Sequence, residues 1–387
     1  MSGDLPLDGV RVVDLTRFVS GAYAGRLLAA LGADVIKVEL PETGDPYREQ
    51  GTAFVGDESA LFGALNCGKR SILIDLAADE GRAQLDALLE TADVFLENGR
   101  PGALAKLGLD AASVAARFPH VVYGSISGYG QSGPDAGRGG FDLILQAEGG
   151  LMSVTGEPDS GPVKVGVPAL DIGSAVSCAL GVVSALYARN RTGRGARVAA
   201  SLLEFAVASF TSVAPSYFVD GEVPGRIGSH SPTFAPYGAF RAKDGHLVIA
   251  GAGSEALWQR LCEALDAPEL ADDPRFADNA ARVRNRSVLT DELEARLRRC
   301  DRAHWLSRLD AARVPAAEVR DLAQVLDSAQ VRHLGLVQAD PGAPAMTPVL
   351  GVPLQVDGPL PSAGRWPRLG EHTAEILAEL RTRPGAR

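Results

Sequence analysis

Through the first two hundred residues, short unbroken apolar runs alternate with stretches whose apolar positions recur every three or four residues. VRVVDL (10–15) is followed by AYAGRLLAAL and then by DVIKVEL (34–40). SILIDL (71–76) precedes DEGRAQLDALLETA, DVFLEN (93–98) precedes a short helical segment near 101–107, and VVYGSIS (121–127) reads as a further strand. Strands that lack polar alternation and are separated by helices predict a parallel sheet covered on both faces. Ligands of such sheets sit outside the carboxyl ends of the strands. That singles out Asp14, Asn98 and the SGYG run at 127–130.

Beyond residue 200 the pattern changes. Gly, Pro and Ser cluster in GEVPGRIGSHSPTFAPYG (221–238), the composition of a linker. AFRAKDGHLVIAG then predicts a hairpin with Lys243, Asp244 and Gly245 at its turn. A charged helical stretch at 274–312 suits a smaller, more solvated α+β unit, and a Pro/Gly-rich stretch at 341–367 leads to a short helix, HTAEILAELRT. The longest uncharged run, 172–188, is rich in Gly, Ser and Ala and slightly short for a membrane span, so it reads as a buried helix. The expected fold class is α/β: a Rossmann-like large domain with a parallel sheet, plus a smaller α+β domain.

Composition narrows the function classes. A chain of 387 residues that is 46% hydrophobic can bury a large core, and two domains are expected. The formal net charge of −10 argues against a nucleic-acid partner but leaves small anionic ligands open. The four cysteines are far apart and form no C-x-x-C pair, and the six histidines show no metal spacing, so no metal site or disulfide framework is expected. MSGDLPLDGVRVVDL lacks a basic segment followed by an apolar one, which predicts a cytoplasmic setting. GAGSEA (251–256) fits a dinucleotide fingerprint, but no second strand ending in an acid follows where one is required. There is no P-loop and no G-x-S-x-G elbow.

The chemistry-bearing candidates are few. NCGKRS (66–71) places Lys69 and Arg70 just before a strand, and ENGRPGALAKLG (97–108) places Asn98, Arg100 and Lys106 around a glycine turn. Phosphates favour such turns, although from spacing alone a solvated charged loop explains them better. RTGRGARV (191–198) is a basic turn that complements the dipole at a helix C-terminus. Asp171, in VGVPALDIGSA, stands where an N-cap would. Gly173 and Ser174 leave room for a substrate to approach its carboxylate, and neighbouring N–H groups could hold that carboxylate ionised or steady an oxyanion.

Taken together, LDGVRVVDLTRFVSG, LGADVIKVELPETGDPYR, LNCGKRSILIDL, ADVFLENGRPGALAKLG, SGYGQSGP, GGFD, ALDIGSA, RTGRGARV and LGEHTAEIL, in that order from residue 7 to about 377, resemble the class III (CaiB/BaiF-type) coenzyme A transferases. The same superfamily contains α-methylacyl-CoA racemase. The resemblance implies a large CoA-binding Rossmann-like domain from 1–200 and 335–387, a linker at 201–225, a small α+β domain at 226–315 and a return linker at 316–334. It implies an interlocked homodimer. It also implies coenzyme A and acyl-CoA as substrates with no permanently bound cofactor, a carboxylic acid as the second small-molecule partner, and no membrane or nucleic acid.

The resemblance assigns residues too. Asp171 becomes the nucleophile that passes through an aspartyl–acyl anhydride and an aspartyl-CoA thioester. Asn98, Lys106, Lys69 and Arg70 become CoA contacts, with Phe18 and Ser20 near the thiol end, while Arg17, Val19, Phe141 and Asp142 border the substrate pocket. Racemases of the superfamily carry a histidine where GGFD has Phe141, and a glutamate aligned with Ser254, so racemisation by α-proton transfer is the alternative these positions disfavour. Val19 stands in place of the glutamine of formyl-CoA transferase, and that enzyme's tetraglycine loop has no counterpart, which argues against formyl or oxalate.

Overall fold

The computed structural model describes residues 5–251, 253–339, 347–361 and 364–382. Two compact units divide the chain, one built from Met1–Gly150, Val165–Phe210 and Ser328–Arg387, the other from Leu151–Lys164 and Thr211–Asp327.

In the first unit, β1 (Arg11–Asp14), β2 (Asp34–Glu39), β3 (Arg70–Leu73), β4 (Val94–Glu97), β5 (Val122–Ser127) and β6 (Arg197–Ser201) form one sheet in the order β3-β2-β1-β4-β5-β6. Every pairing in it is parallel. β1, β4 and β5 are buried along their whole length, which is why their sequences show no polar alternation. The strand order reverses direction between β1 and β4, and the loops leaving those two strands flank the crevice where ligands of doubly wound sheets bind.

Helices cover both faces. α1 (Ser20–Ala30) and α2 (Asp79–Thr91) follow β1 and β3. α2 buries Leu85, Leu88 and Leu89, one helical stripe worth roughly 1.5–3 kcal/mol per side chain, into a core with Val13, Ile36, Ile72 and Phe95. The C-terminal helix Thr373–Thr382 adds Ile376 to the same core, while its Glu379 pairs with Arg11 and Arg70.

The uncharged run forms α4 (Ala169–Thr192), which follows the short α3 (Asp142–Glu148). By length and composition α4 could cross a membrane, yet half of its most apolar window is buried in the protein. Leu170, Gly173, Cys178, Val182 and Leu186 form its inner face. Gly193, at φ +68°, ends it in the left-handed conformation that glycine favours. Arg189, in the last turn, pairs with Asp93 at 2.8 Å and also donates to the carbonyl of His120.

In the second unit, β7 (Tyr237–Ala242), β8 (Gly245–Ala250) and β9 (Ala316–Glu318) make an antiparallel sheet in the order β9-β8-β7. Lys243 and Asp244 form the turn between β7 and β8. Phe240, Leu247, Ile249, Trp258, Phe276 and Leu293 pack into its core. The structure departs from the sequence pattern in three places. Leu151–Lys164 groups with this unit rather than with the first. The stretch 201–225 holds the helices Leu202–Ala208 and Ala214–Asp220. The stretch 316–334 supplies strand β9, because an edge strand pairs through its main chain and needs little side-chain signal.

Candidate active site

Asp171 is the third residue of α4, so it is not the helix cap. The cap comes from α3. Oδ2 of Asp142 accepts the backbone N–H groups of Leu170 at 2.8 Å and Asp171 at 3.2 Å. The first-turn N–H of Ala169 goes to Val167 O and that of Ile172 to Pro168 O. All four N-terminal donors of the helix are therefore taken, and none is left to hold the Asp171 carboxylate or an oxyanion. The space beside Gly173 is also filled, because a Cβ there would collide with the ring of Phe205.

The electrostatic consequence runs against the expectation of a stabilised anion. Burial, reinforced by the negative charge of Asp142, pushes Asp171 up to about 7. No cation pairs with Asp171, and its carboxylate accepts no hydrogen bond, among the described residues. A carboxylate so placed changes its charge near neutral pH.

Three loops converge here, leaving β1, β2 and β5. From the first comes Phe18, in the left-handed region at φ +60°, a conformation a bulky residue adopts only when its surroundings impose it. Asn98 imposes it by clamping the preceding residue: its Oδ1 accepts from Arg17 N at 2.9 Å and its Nδ2 donates to Arg17 O at 2.7 Å. The second loop brings Tyr47. Its backbone N–H donates to Oδ1 of Asp45, which begins a short turn with Pro46 at its first position. The third brings Phe141, 65% exposed although apolar. Phe18 meets Tyr47 edge-on at 5.4 Å between ring centres and Phe141 at 6.3 Å. Gly128 and Gly140 let the SGYG and GGFD loops touch backbone to backbone, since a Cβ on Gly128 would lie 2.7 Å from the Gly140 Cα.

Beneath these loops lies a cluster of buried charges. Lys69 Nζ is wholly buried and donates to Asp14, Ala22 O and Asn66, each at 2.8 Å. Lys37, equally buried, pairs with Asp45 at 2.9 Å and donates to Thr16 O. Glu39 takes a two-pronged bond from Arg48 at 2.8 and 2.7 Å and another from Ser71. Burial by itself raises Asp14, but the opposing charges of Lys69 and Lys37 bring it below the usual carboxylate range.

The structure thus redistributes the expected ligand contacts. Lys69 is sealed against Asp14, and half-buried Arg70 pairs with Asp34, Glu375 and Glu379. Asn98 holds a loop through both ends of its amide. Ser20 is buried in the first turn of α1, Val19 is buried beside it, Arg17 is exposed, and Lys106 is exposed on a short turn with no ion pair among the described residues. Ser254 caps the helix Glu255–Ala264 by accepting from Leu257 N, a structural use that leaves it no acid–base role. Ala252, inside the GAGSEA motif, lies outside the described residues. Asp45, Tyr47 and Lys37 are the residues the sequence left unmarked. A lysine inside the apolar strand DVIKVE and an Asp-Pro turn start were the available signals.

A doubly wound parallel sheet with a perturbed carboxylate beside its carboxyl-end loops defines an α/β enzyme fold. The chain belongs to CoA-transferase family III, whose model matches residues 7–373. It is 38% identical over 383 residues to the succinyl-CoA:glutarate CoA-transferase of Mus musculus, covering 97% of this chain and 86% of that protein. It is 37% identical to the acetyl-CoA:oxalate CoA-transferase of Acetobacter aceti, covering 97% and 95%. A solved CaiB/BaiF family protein from Brucella suis superposes with a TM-score of 0.86 at 39% identity, covering 98% of this chain and all of that one. The chain is a CoA transferase.

Proposed function

We propose that this enzyme moves coenzyme A from an acyl-CoA to a carboxylic acid, with Asp171 as the covalent relay. One observation carries the proposal: Asp171 is a half-buried carboxylate without a cation among the described residues, raised to about 7, beside loops at the carboxyl ends of the sheet. As the anion it attacks the thioester carbonyl, expels the CoA thiolate and becomes a mixed anhydride. The thiolate then attacks the aspartyl carbonyl, releasing the donor acid and leaving an aspartyl-CoA thioester. An acceptor carboxylate reverses the sequence through a second anhydride, and Asp171 is regenerated. Overall, one acyl-CoA thioester is exchanged for another, so the net reaction is close to thermoneutral. Lys106 and Arg100, both exposed on the turn after β4, are cations available to the phosphates of CoA.

Two relatives carry dicarboxylic acids in their names, glutarate and oxalate, so dicarboxylates are the favoured acceptor class here. Oxalate belongs in the test panel despite Val19, because the Acetobacter relative is named for it. Exposed Val176, Leu180 and Tyr187 on the outer face of α4 suit a second copy of the chain, and a single-chain mass in light scattering would remove that assignment. The expected compartment is the cytoplasm, where all four cysteines stay reduced, as their free state in the structure allows.

The test combines turnover with trapping. With a pooled set of carboxylic acids, mass spectrometry should show CoA exchange, and hydroxylamine or borohydride should label Asp171 after incubation with donor. Asp171→Ala should lose more than about 10³-fold in kcat. Exchange at the wild-type rate in that variant would sink the mechanism. Rapid α-hydrogen exchange in D₂O without an acceptor would instead favour proton transfer.

A further inference from the structure

We infer that Tyr47 is a catalytic residue of this transferase, its phenol donating a hydrogen bond to the oxyanion formed on the Asp171 carboxyl during thioester formation. The inference rests on the covalent role proposed for Asp171 and adds the group that stabilises the intervening charge.

The need for such a group follows from the helix start. The four N–H groups of the first turn of α4 are occupied by Asp142, Val167 and Pro168, so the helix cannot serve as an oxyanion hole. Within the first unit, another donor has to face the carboxylate. Tyr47 meets the requirement on three counts. Its ring and Ile172, the residue after Asp171, pack against the same small cluster of Val19, Ala22 and Leu65. Its position is over-determined, with Phe18 edge-on at 5.4 Å and its backbone N–H bonded to Asp45, whose carboxylate is locked to buried Lys37. Its hydroxyl has no acceptor among the described residues, although the side chain is partly buried.

Electrostatics supports the placement. Burial first, then the charges of Asp171 and Asp45, raise the phenol above its ordinary value, so it stays protonated and able to donate at any working pH. Tyr23, packed against the same cluster, is coupled instead to Arg26.

The CoA thiolate adds to the γ-carbonyl carbon of the acyl–Asp171 anhydride, forming the C–S bond, and the carbonyl electron pair moves onto oxygen. That oxyanion accepts the Tyr47 O–H, which keeps its proton. Collapse restores the carbonyl and breaks the C–O bond, so the donor acid leaves as a carboxylate with the electron pair. An oxyanion donor removed from such a site typically costs 10²–10³-fold in rate.

Tyr47→Phe keeps the ring against Phe18 and deletes the donor. The expected result is a roughly 10²-fold fall in kcat for CoA exchange, with the KM for acyl-CoA and the thermal midpoint unchanged. In a single turnover, release of CoA from the donor should keep its wild-type rate while the borohydride-trapped aspartyl-CoA thioester appears slowly. A kcat within about twofold of wild type would overturn the role, as would equal slowing of the first CoA release. Should the variant fail to fold, 3,5-difluorotyrosine at position 47, a more acidic donor of the same shape, should change kcat; an unaltered kcat would count against Tyr47. Full exchange in Asp171→Ala would overturn the underlying mechanism, whereas an inactive Asp171→Ala beside a fully active Tyr47→Phe would overturn Tyr47 alone.

Discussion

Two sets of carboxylates in the first unit are treated in opposite ways, one fully buried and the other half-buried. Under the loops that follow β1 and β2, Asp14, Asp45 and Glu39 each have a cation, respectively Lys69, Lys37 and Arg48, at 2.7 to 2.9 Å. At the start of α4, Asp171 and Asp142 have each other's charge and no cation among the described residues. The paired group is spent on holding loops still, and its charges are unavailable to a ligand. The unpaired one makes ionisation of Asp171 costly to the fold. The paired carboxylates are compensated, whereas Asp171 is raised by burial and by the charge of Asp142.

That contrast can be broken most forcefully from the paired side. Lys69→Met strands Asp14 at a site with no exposure and should lower the unfolding free energy by roughly 3–5 kcal/mol in urea melts. A loss below about 1 kcal/mol would show that the cluster does not hold the loops. On the other side the sign reverses. The folded-state value of Asp171 is raised from 3.8 to about 7, so ionisation costs the fold nothing below the lower value and the full penalty above the higher one. Asp171→Asn should therefore stabilise the protein at about pH 8, by roughly 2–4 kcal/mol, and far less at about pH 4. Equal stability of variant and wild type across that range would mean that Asp171 is not buried at the cost the structure indicates.

The smallest effect separates the two causes of the shift. Asp142→Asn removes the like charge but leaves the larger contribution, burial, in place. The acid limb of the kcat/KM profile, which reports ionisation of the free enzyme, should move down by less than about one pH unit. A limb that stays where it was would assign the whole shift to burial. A move of two units or so would make Asp142 the dominant cause.

Much of this was legible in the chain. The unalternating strands VRVVDL, DVIKVEL and DVFLEN announced a parallel sheet, and Asp171 stood out as the lone acid at the head of an uncharged helix. Hydrophobic periodicity is a local property, set by which faces of an element are buried, and it survives in one dimension. The order β3-β2-β1-β4-β5-β6 confirmed what that alternation implied. Strand β9 and the helices at 201–225 escaped notice because pairing partners and packing surfaces lie far away along the chain.

The sequence by itself determined the class of sheet, the helix that carries Asp171, and the family whose motifs surround it. Only the tertiary structure decided what each charge does. Lys69 and Asp14 are 55 positions apart, and no local pattern says that they meet at 2.8 Å and cancel. Nor does one say that Asp142, 29 positions before Asp171, takes the helix cap and leaves Asp171 unpaired. A carboxylate's pKa depends on the solvent and charges within a few ångströms, and those neighbours are assembled by the fold, not by the order of residues.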